Sequence, residues 1–512
     1  MELNVIEHNN IHLILGPPGT GKTTKLLSIL EKELTRVPPD KIGFVSFTRK
    51  AAHEAHERAG EKFGLEEREM PWFRTLHSFA YKCLTLSPED VFDRDDCIAL
   101  GKALGLFIGV NTSSRYDQDA LIRSGGKGTE MLFIDNIARI KCQPLKEIWH
   151  EIATQNVSWI DMEHFSKSLL AYKDKHCVLD FTDMISEFVY TEDTYCPELD
   201  AIIIDEAQDL TRLQWLMVNR IAQFCDRVYI AGDDDQSIYM WSGADIQTFL
   251  NLNCATSEVL EHSYRLPRSI FNLANAITDK IKDRYIKPWG PRDDEGAVIN
   301  VFHYEDVPLG EGEWLILARN KCFVEEAAQY CRDMGFHFSS NIVDSVDPDI
   351  LTAIRLWERL RKGEKINGAQ VRSVYEWMRV NKEIYKGYKK APGIEDNQLM
   401  SLVELRHGHG LKTEAIWHEA LGRIPSAKRE HLIAVLKNKE KIDKPRIHIS
   451  TIHSAKGGEA DNVLLMLDLA RRTHEGYRED EDPEHRVFYV GATRAKQNLY
   501  VFQPTTERSY NL

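Results

Sequence analysis

Short apolar runs punctuate the chain. Ile11–Leu15 (IHLIL), Ile42–Phe47, Ala201–Ile204 and Val228–Ala231 lack the alternation of a half-exposed strand, so each predicts a strand buried on both faces. Helical patterns follow from Lys22 to about Glu33 and from about Thr48. Strands and helices alternating in this way predict a parallel sheet covered on both sides. A second strand–helix series starts near Val259, runs through Ala297–Phe302, Trp314–Ala318, Ile447–Thr451 and Val463–Leu467, and ends at Leu499–Phe502. Between Leu84 and about Leu179 the pattern changes to amphipathic helices with a Ser/Gly loop at 113–128, and 365–442 is again helical and charged. The expected class is α/β: two parallel-sheet cores in tandem, each carrying a mainly helical insertion. The first core takes 1–84 and 180–258, its insertion 85–179, the second core 259–364 and 443–512, and a compact second insertion 365–442.

Composition changes this picture little. A chain of 512 residues with 43% hydrophobic content fits several folded domains, each of about 100–200 residues. No run of about 18 apolar residues appears, so no membrane span is expected. The first residues have no basic start before an apolar stretch, so no signal peptide is visible. Nine scattered cysteines without a CxxC pair point to reduced thiols in a cytoplasm and away from zinc or iron–sulfur sites. A net charge of −14 argues against binding nucleic acid through bulk charge, but leaves room for a stacking groove with local cations.

The chemistry begins at Gly16-Pro17-Pro18-Gly19-Thr20-Gly21-Lys22-Thr23-Thr24, which follows a strand and opens a helix. Its glycines let backbone N–H groups surround phosphate oxygens at a helix N-terminus. Lys22 is placed for the β/γ-phosphates and Thr23 for Mg²⁺. Asp205 and Glu206 end an apolar strand, Asp205 placed to hold the metal and Glu206 to polarise a water. Gln208 reads equally as a link to neighbouring loops or as a surface side chain. In 232–244 (GDDDQSIYMWSGA), Gln236 can touch a phosphate or orient a water, and Tyr239 and Trp241 can stack a base. Arg265 and Arg494 are candidate cations for a γ-phosphate, a role worth about 10³–10⁵ in rate.

These segments, in order, resemble the motifs of superfamily 1 helicases of the UvrD/Rep/PcrA type. To GPPGTGKTT are added FVSFTRKAA (44–52), TLHSFAY (75–81), IIIDEAQD (202–209), LEHSYR (260–265), ILARN (316–320), STIHSAKGGE (450–459) and RVFYVGATRAK (486–496). The likeness covers both cores; the insertions show none. It implies two RecA-like cores with an ATP site between them, formed by Lys22, Thr23, Asp205, Glu206, Gln236, Arg265 and Arg494, with Tyr264 on the adenine and Glu459 on the ribose. It further implies that Phe47, His77, Tyr239 and Trp241 line a single-strand path, with Thr75, Ser78, Thr451 and His453 near its backbone. The aromatics read alternatively as core, and His453 as the partner of a buried carbonyl. The implied activity is ATP-dependent, Mg²⁺-dependent 3′→5′ translocation on single-stranded DNA with unwinding at single/double-strand junctions, in replication, repair or recombination. The implied partners are replication or recombination proteins, and the form a monomeric core in a bacterial or phage-infected cytoplasm. Two alternatives stand beside it: a translocase that displaces proteins and unwinds weakly, and a scaffold on an inactive ATPase core.

The chain departs from the family pattern in places. No glutamine precedes Gln118, so the adenine edge is left to His8, Asn9 or Asn10, or base selectivity is relaxed. Lys456-Gly457-Gly458-Glu459-Ala460 stands where the family often has KGLEF, and Arg49 where it often has Asn. The second insertion holds RVNKEIYKGYKK (379–390), whose basic residues interleave with Tyr385 and Tyr388 and read as a nucleic-acid grip or as a solvated helix and loop. Arg115, Arg123 and Lys127 in the first insertion carry the same two readings.

Overall fold

A computed structural model of the chain describes residues 10–46, 49–109, 126–342, 345–440 and 444–512, without the side chains of 49–51 and 54. The first sheet is built from β1 (Ile11–Leu15), β2 (Ile42–Ser46), β3 (Phe73–Thr75), β4 (Leu199–Asp205), β5 (Cys225–Gly232) and β6 (Thr256–Val259). Its order is β3-β2-β4-β5-β1-β6, all parallel. The second sheet takes β7 (Ala297–Val301), β8 (Trp314–Ala318) and β9 (Phe338–Ser340). A two-stranded pair, β10 (Ile366–Asn367) and β11 (Leu399–Met400), intervenes before β12 (Ile447–Thr451), β13 (Ala460–Met466) and β14 (Ala495–Phe502). Its order is β7-β14-β13-β8-β12-β9, again all parallel. The chain thus has two RecA-like parallel-sheet cores in tandem. Each sheet is covered on both faces, as apolar strands such as AIII in β4 require.

In the two large sheets β3 and β9 were not foreseen, nor was the short β10–β11 pair, and β6 was expected in the other sheet. β3, β6 and β9 lie at sheet edges. An edge strand is short and partly solvated, so it lacks the unbroken apolar run that marks a central one. β6 brings a correction. The strand ending at Val259 does not open the second core; it pairs with β1 in the first sheet, Val259 opposite Leu15. The chain crosses over only after it, and helix Arg268–Thr278 packs its Ile270, Ala274 and Ile277 into the second core.

The insertions have apolar clusters of their own, spanning Phe92–Val178 and Val346–Leu432. Helix Pro348–Arg361 packs with the second of these rather than with the second sheet, so that cluster begins ahead of residue 365. Amphipathic periodicity shows that a helix has a buried face but not which neighbour covers it. The second insertion is also less helical than expected, with 377–398 running largely through turns. Among the described residues no helix is long and apolar enough to cross a membrane, and all nine cysteines are free.

Candidate nucleotide site

Register places the site. Leu15 lies opposite Gly232, Ile204 opposite Ile230 and Leu15 opposite Val259, so the carboxyl ends of β1, β4, β5 and β6 meet along one edge. That edge is where open α/β sheets bind ligands. The loop after β1 is pinned by Gly16 N–H to the Gly232 carbonyl at 2.9 Å and by the Thr20 amide and hydroxyl to the Pro17 carbonyl. Gly21, at φ +79°, caps helix Lys22–Leu34 in the left-handed region that glycine tolerates. Gly19 is needed twice: its φ is +74°, and a Cβ there would lie 2.3 Å from the Arg265 Cβ.

Lys22 Nζ sits 2.5 Å from Glu206 Oε1 and 3.3 Å from Asp205 Oδ1. Burial lowers the ammonium's pKa, but the two carboxylates outweigh it and hold Lys22 charged above its ordinary value. Burial pushes Asp205 up, with the Glu206 charge adding to it. Burial likewise pushes Glu206 up, but Lys22, Lys456 and a hydrogen bond from Gln208 reverse the sign and hold it down. Glu206 also adopts φ +55°, uncommon for a side-chain-bearing residue and a mark of local strain. Gln208 proves to be a link. Fully buried, it donates to Glu206 Oε2 at 2.6 Å and accepts from the Asp233 amide at 3.1 Å.

The second core closes on this edge. Arg494 is 2% exposed; it donates to Gln236 Oε1 at 3.1 Å and to the carbonyls of Val490 and Gly458. Its remaining partner is the Thr493 hydroxyl, so no carboxylate is among its hydrogen-bond partners in the described residues. Burial, helped by neighbouring Arg265, lowers its pKa to about 9, which still leaves it charged at neutral pH. Arg265 pairs with Glu459 at 2.6 Å, while its buried Nε has no hydrogen-bond partner. One cation with an unpaired Nε and one hydrogen-bonded only to neutral acceptors, both beside a phosphate-type loop, are the groups an anion would satisfy. Tyr264 is tied to the loop by its amide, 2.8 Å from the Gly19 carbonyl, and its ring is 71% exposed with the His262 ring edge-on at 4.9 Å. Thr23 is partly exposed at the helix start and Thr24 fully so. Pro17 and Pro18 supply carbonyls to the loop's own bonds, Pro18 accepting from the Ser263 hydroxyl at 2.8 Å.

Sequence reasoning missed Lys456. It pairs with Asp209, donates to the Gln236 carbonyl at 2.7 Å and lies 5.1 Å from the centre of the Tyr239 ring. The available signal was its place in STIHSAKGGE beside Glu459. Burial raises Asp209 to about 6, with Lys456 opposing.

The residues assigned to a strand path separate into two groups. Tyr239, Thr451 and His453 are buried, with the Tyr239 and His453 rings 6.2 Å apart. Tyr239 is 7% exposed, packs into the second core's apolar cluster and donates from its hydroxyl to the His453 carbonyl at 3.2 Å. Burial holds His453 well below its ordinary pKa, Arg319 and Lys456 add to that, and a hydrogen bond joins it to the Ile238 backbone. It is therefore neutral, with one ring nitrogen on the backbone and its buried Nε2 without a hydrogen-bond partner. Buried Thr451 caps its own turn at Ser454. These three offer no open face to a base here, because Ile238 and Tyr239 leave the first core and bury in the second. Trp241, Thr75, His77 and Ser78 remain partly exposed. Thr75 caps helix Leu76–Cys83, Ser78 accepts from Arg74 at 3.0 Å, and His77 meets the Phe181 ring edge-on. Phe47, Arg115, Arg123, His8 and Asn9 lie outside the described residues, as does the Arg49 side chain. Asn10 is committed to the Asp226 carbonyl at 2.8 Å, and Lys127 to Asp161 at 2.7 Å. In 379–390, Arg379 pairs with Glu383, Lys412 covers Tyr385 and Tyr388 packs on Gly410, while Lys382, Lys386 and Lys390 are exposed.

Comparison with known proteins adds an independent line. Residues 2–256 match the UvrD/REP helicase N-terminal domain and 349–504 the UvrD-like helicase C-terminal domain. The ATP-dependent DNA helicase PcrA of Bacillus subtilis is 29% identical over 59% of this chain, which spans 42% of that protein's length. PcrA of Staphylococcus epidermidis is 28% identical over 54% of the chain, which spans 39% of it. A putative ATP-dependent DNA helicase of B. subtilis, YjcD, is 24% identical over 97% of the chain and 77% of its own length.

Proposed function

Since the chain belongs to the UvrD/Rep family of superfamily 1 helicases, we propose that it is an ATP-driven motor on single-stranded DNA, moving 3′→5′ and unwinding duplex at single/double-strand junctions. One observation carries this reading: a buried second-core arginine, Arg494, hydrogen-bonded to Gln236 of the first core beside Lys22 and Glu206. A phosphate there would bind both cores at once, so its arrival and loss would change how they are held together.

In this reading the amides of Gly19 to Lys22 surround the phosphates and Tyr264 offers its exposed ring to the base. Thr23 and Asp205 would hold Mg²⁺, which would supply neutralisation of phosphate charge. Lys22 moves from Glu206 to the phosphates. Glu206, freed of that partner, gains basicity and accepts hydrogen bonds from the attacking water. Arg494 and Arg265 meet the charge developing on the transferred phosphoryl group. Coupling to DNA runs through 232–244, which holds Gln236 at one end and the half-exposed Trp241 at the other. This is a two-state device in the sense that both ligands bias one inter-core arrangement.

Phosphate release with and without a single-stranded oligonucleotide tests the motor, and unwinding of 3′-tailed and 5′-tailed duplexes tests its direction. Oligonucleotide-stimulated turnover that vanishes in Lys22→Ala is expected, with unwinding only from 3′ tails. Turnover indifferent to oligonucleotide would overturn the motor, and unwinding from 5′ tails its polarity.

A further inference from the structure

Just ahead of Gln236, three consecutive aspartates are buried. Asp233, Asp234 and Asp235 place a carboxylate oxygen each within 4.8 Å of one another, the spacing of a metal site. An ammonium occupies that position instead. Lys287 Nζ lies 2.7 Å from Asp233, 2.5 Å from Asp234 and 2.8 Å from Asp235, and the lysine side chain is 0% exposed. Arg284 adds a bidentate pair to Asp235 at 2.8 and 2.6 Å, and Arg486 donates to the Asp234 carbonyl at 3.1 Å. Three buried carboxylates cannot all stay ionised this close without such cations. Lys287 and Arg284 follow the crossover into the second core, and Arg486 lies on helix Asp482–Ala492, which leads directly to Arg494.

The cluster ends on the catalytic loop. The second oxygen of Asp233 accepts from Gln236 Nε2 at 2.7 Å, while Gln236 Oε1 accepts from Arg494. An amide turned end for end would set its NH₂ against a guanidinium and its oxygen against a carboxylate. The direction of the Gln236 amide is therefore set by Asp233 and Arg494 together, and Lys287, 2.7 Å from the other oxygen of Asp233, holds that carboxylate in place.

We propose that Lys287 is a positioning residue for phosphate hydrolysis, acting through Asp233 to fix the amide of Gln236 toward Arg494. This rests on the motor reading above for the reaction it serves. It adds to that reading a chain of polar contacts between cores, from Lys287 through Asp233 and Gln236 to Arg494.

The test compares Lys287→Met, Gln236→Ala and the double variant in the full chain. It reads kcat and KM of oligonucleotide-stimulated ATPase, binding of a fluorescent ATP analogue, and thermal unfolding. Lys287→Met is expected to lower kcat at least about tenfold while KM and analogue affinity stay within about twofold, and to cost nothing further in the Gln236→Ala background. A charge-balanced variant, Lys287→Met with Asp234→Asn, is expected to fold and to show the same loss. Equal losses in both backgrounds, an effect confined to KM, normal turnover in the balanced variant, or failure of both Lys287 variants to fold would each overturn the positioning role. A wild-type chain without ATPase activity would instead reject the motor reading, so the two failures are distinguishable.

Discussion

At the scale of single residues, the site is governed by which charges are left incomplete. Lys22 has two carboxylates, and Arg265 has Glu459, whereas Arg494 has only neutral hydrogen-bond partners. A buried guanidinium with Glu206 and Glu459 near it but no carboxylate hydrogen-bonded to it gains most when an anion arrives, and most of all when that anion gains charge in the transition state. Arg494→Ala is therefore expected to lower stimulated kcat by about 10³ or more, with analogue binding reduced far less. Steady-state kinetics beside equilibrium titration separates the two, and a loss confined to binding would remove Arg494 from the hydrolytic step. Residue identity made much of this legible: the glycines, Lys22, Asp205 and Glu206 stand in a spacing whose chemistry is independent of the rest of the fold. The reverse holds for Tyr239 and His453, where an aromatic or an imidazole is equally suited to an open groove and to a core.

At the scale of elements, the strand ends act together because register aligns them. The loop Asp205–Asp209 meets the second core through the Asp209–Lys456 pair, and that pair titrates. Asp209 is raised from 3.8 to about 6, burial opposing its charge while Lys456 favours it, with Glu206 and Lys22 also facing it. As pH falls through about 6, Asp209 protonates in the folded chain and the ion pair is lost. Stimulated turnover should fall on that acid limb with a midpoint near 6, and Asp209→Asn should flatten the limb at a lower plateau. A wild-type profile level between pH 5 and 7 would remove Asp209 from the coupling. Stability runs the other way. A carboxyl whose folded pKa is raised contributes stability that is complete below its unfolded value, and that contribution is lost as pH rises from about 4 to 6. The same carboxylate thus costs stability where it gains function. Element by element, the central strands could be read from sequence, and of the edge strands β7 was read but β3 and β9 were not, because two-sided burial writes an apolar run and a half-solvated edge of three residues does not. β6, expected in the second core, matters most, since it delivers Tyr264 and Arg265 to the P-loop from the first sheet's own margin.

At the scale of the molecule, the segment 232–244 touches every body around it. Asp233 and Gln236 belong to the nucleotide edge, and Ile238 and Tyr239 bury in the second core. Trp241 meets His453 edge-on at 6.4 Å, and a Cβ on Gly243 would lie 2.8 Å from Ile140 of the first insertion. A loop held at so many points transmits a shift rather than absorbing it. Trp241→Ala is expected to retain analogue binding and lose oligonucleotide stimulation, read as the ratio of turnover with and without single strand. A ratio equal to wild type would sink the coupling assigned to this loop.

The sequence by itself determined which residue types line the candidate site and the existence of two parallel-sheet cores. Phosphate-binding loops and two-sided strands are set by local residue type and period, which need no distant partner to be recognised. Tertiary structure decided what those residues touch: that Lys456 and Arg494 cross to the first core, that Tyr239 is wedged in the second, and that Lys287 fills a pocket of three aspartates. Such contacts join residues up to 258 positions apart, as in Arg494 and Gln236. No local pattern carries that information, because burial and charge pairing depend on which surfaces the fold brings together.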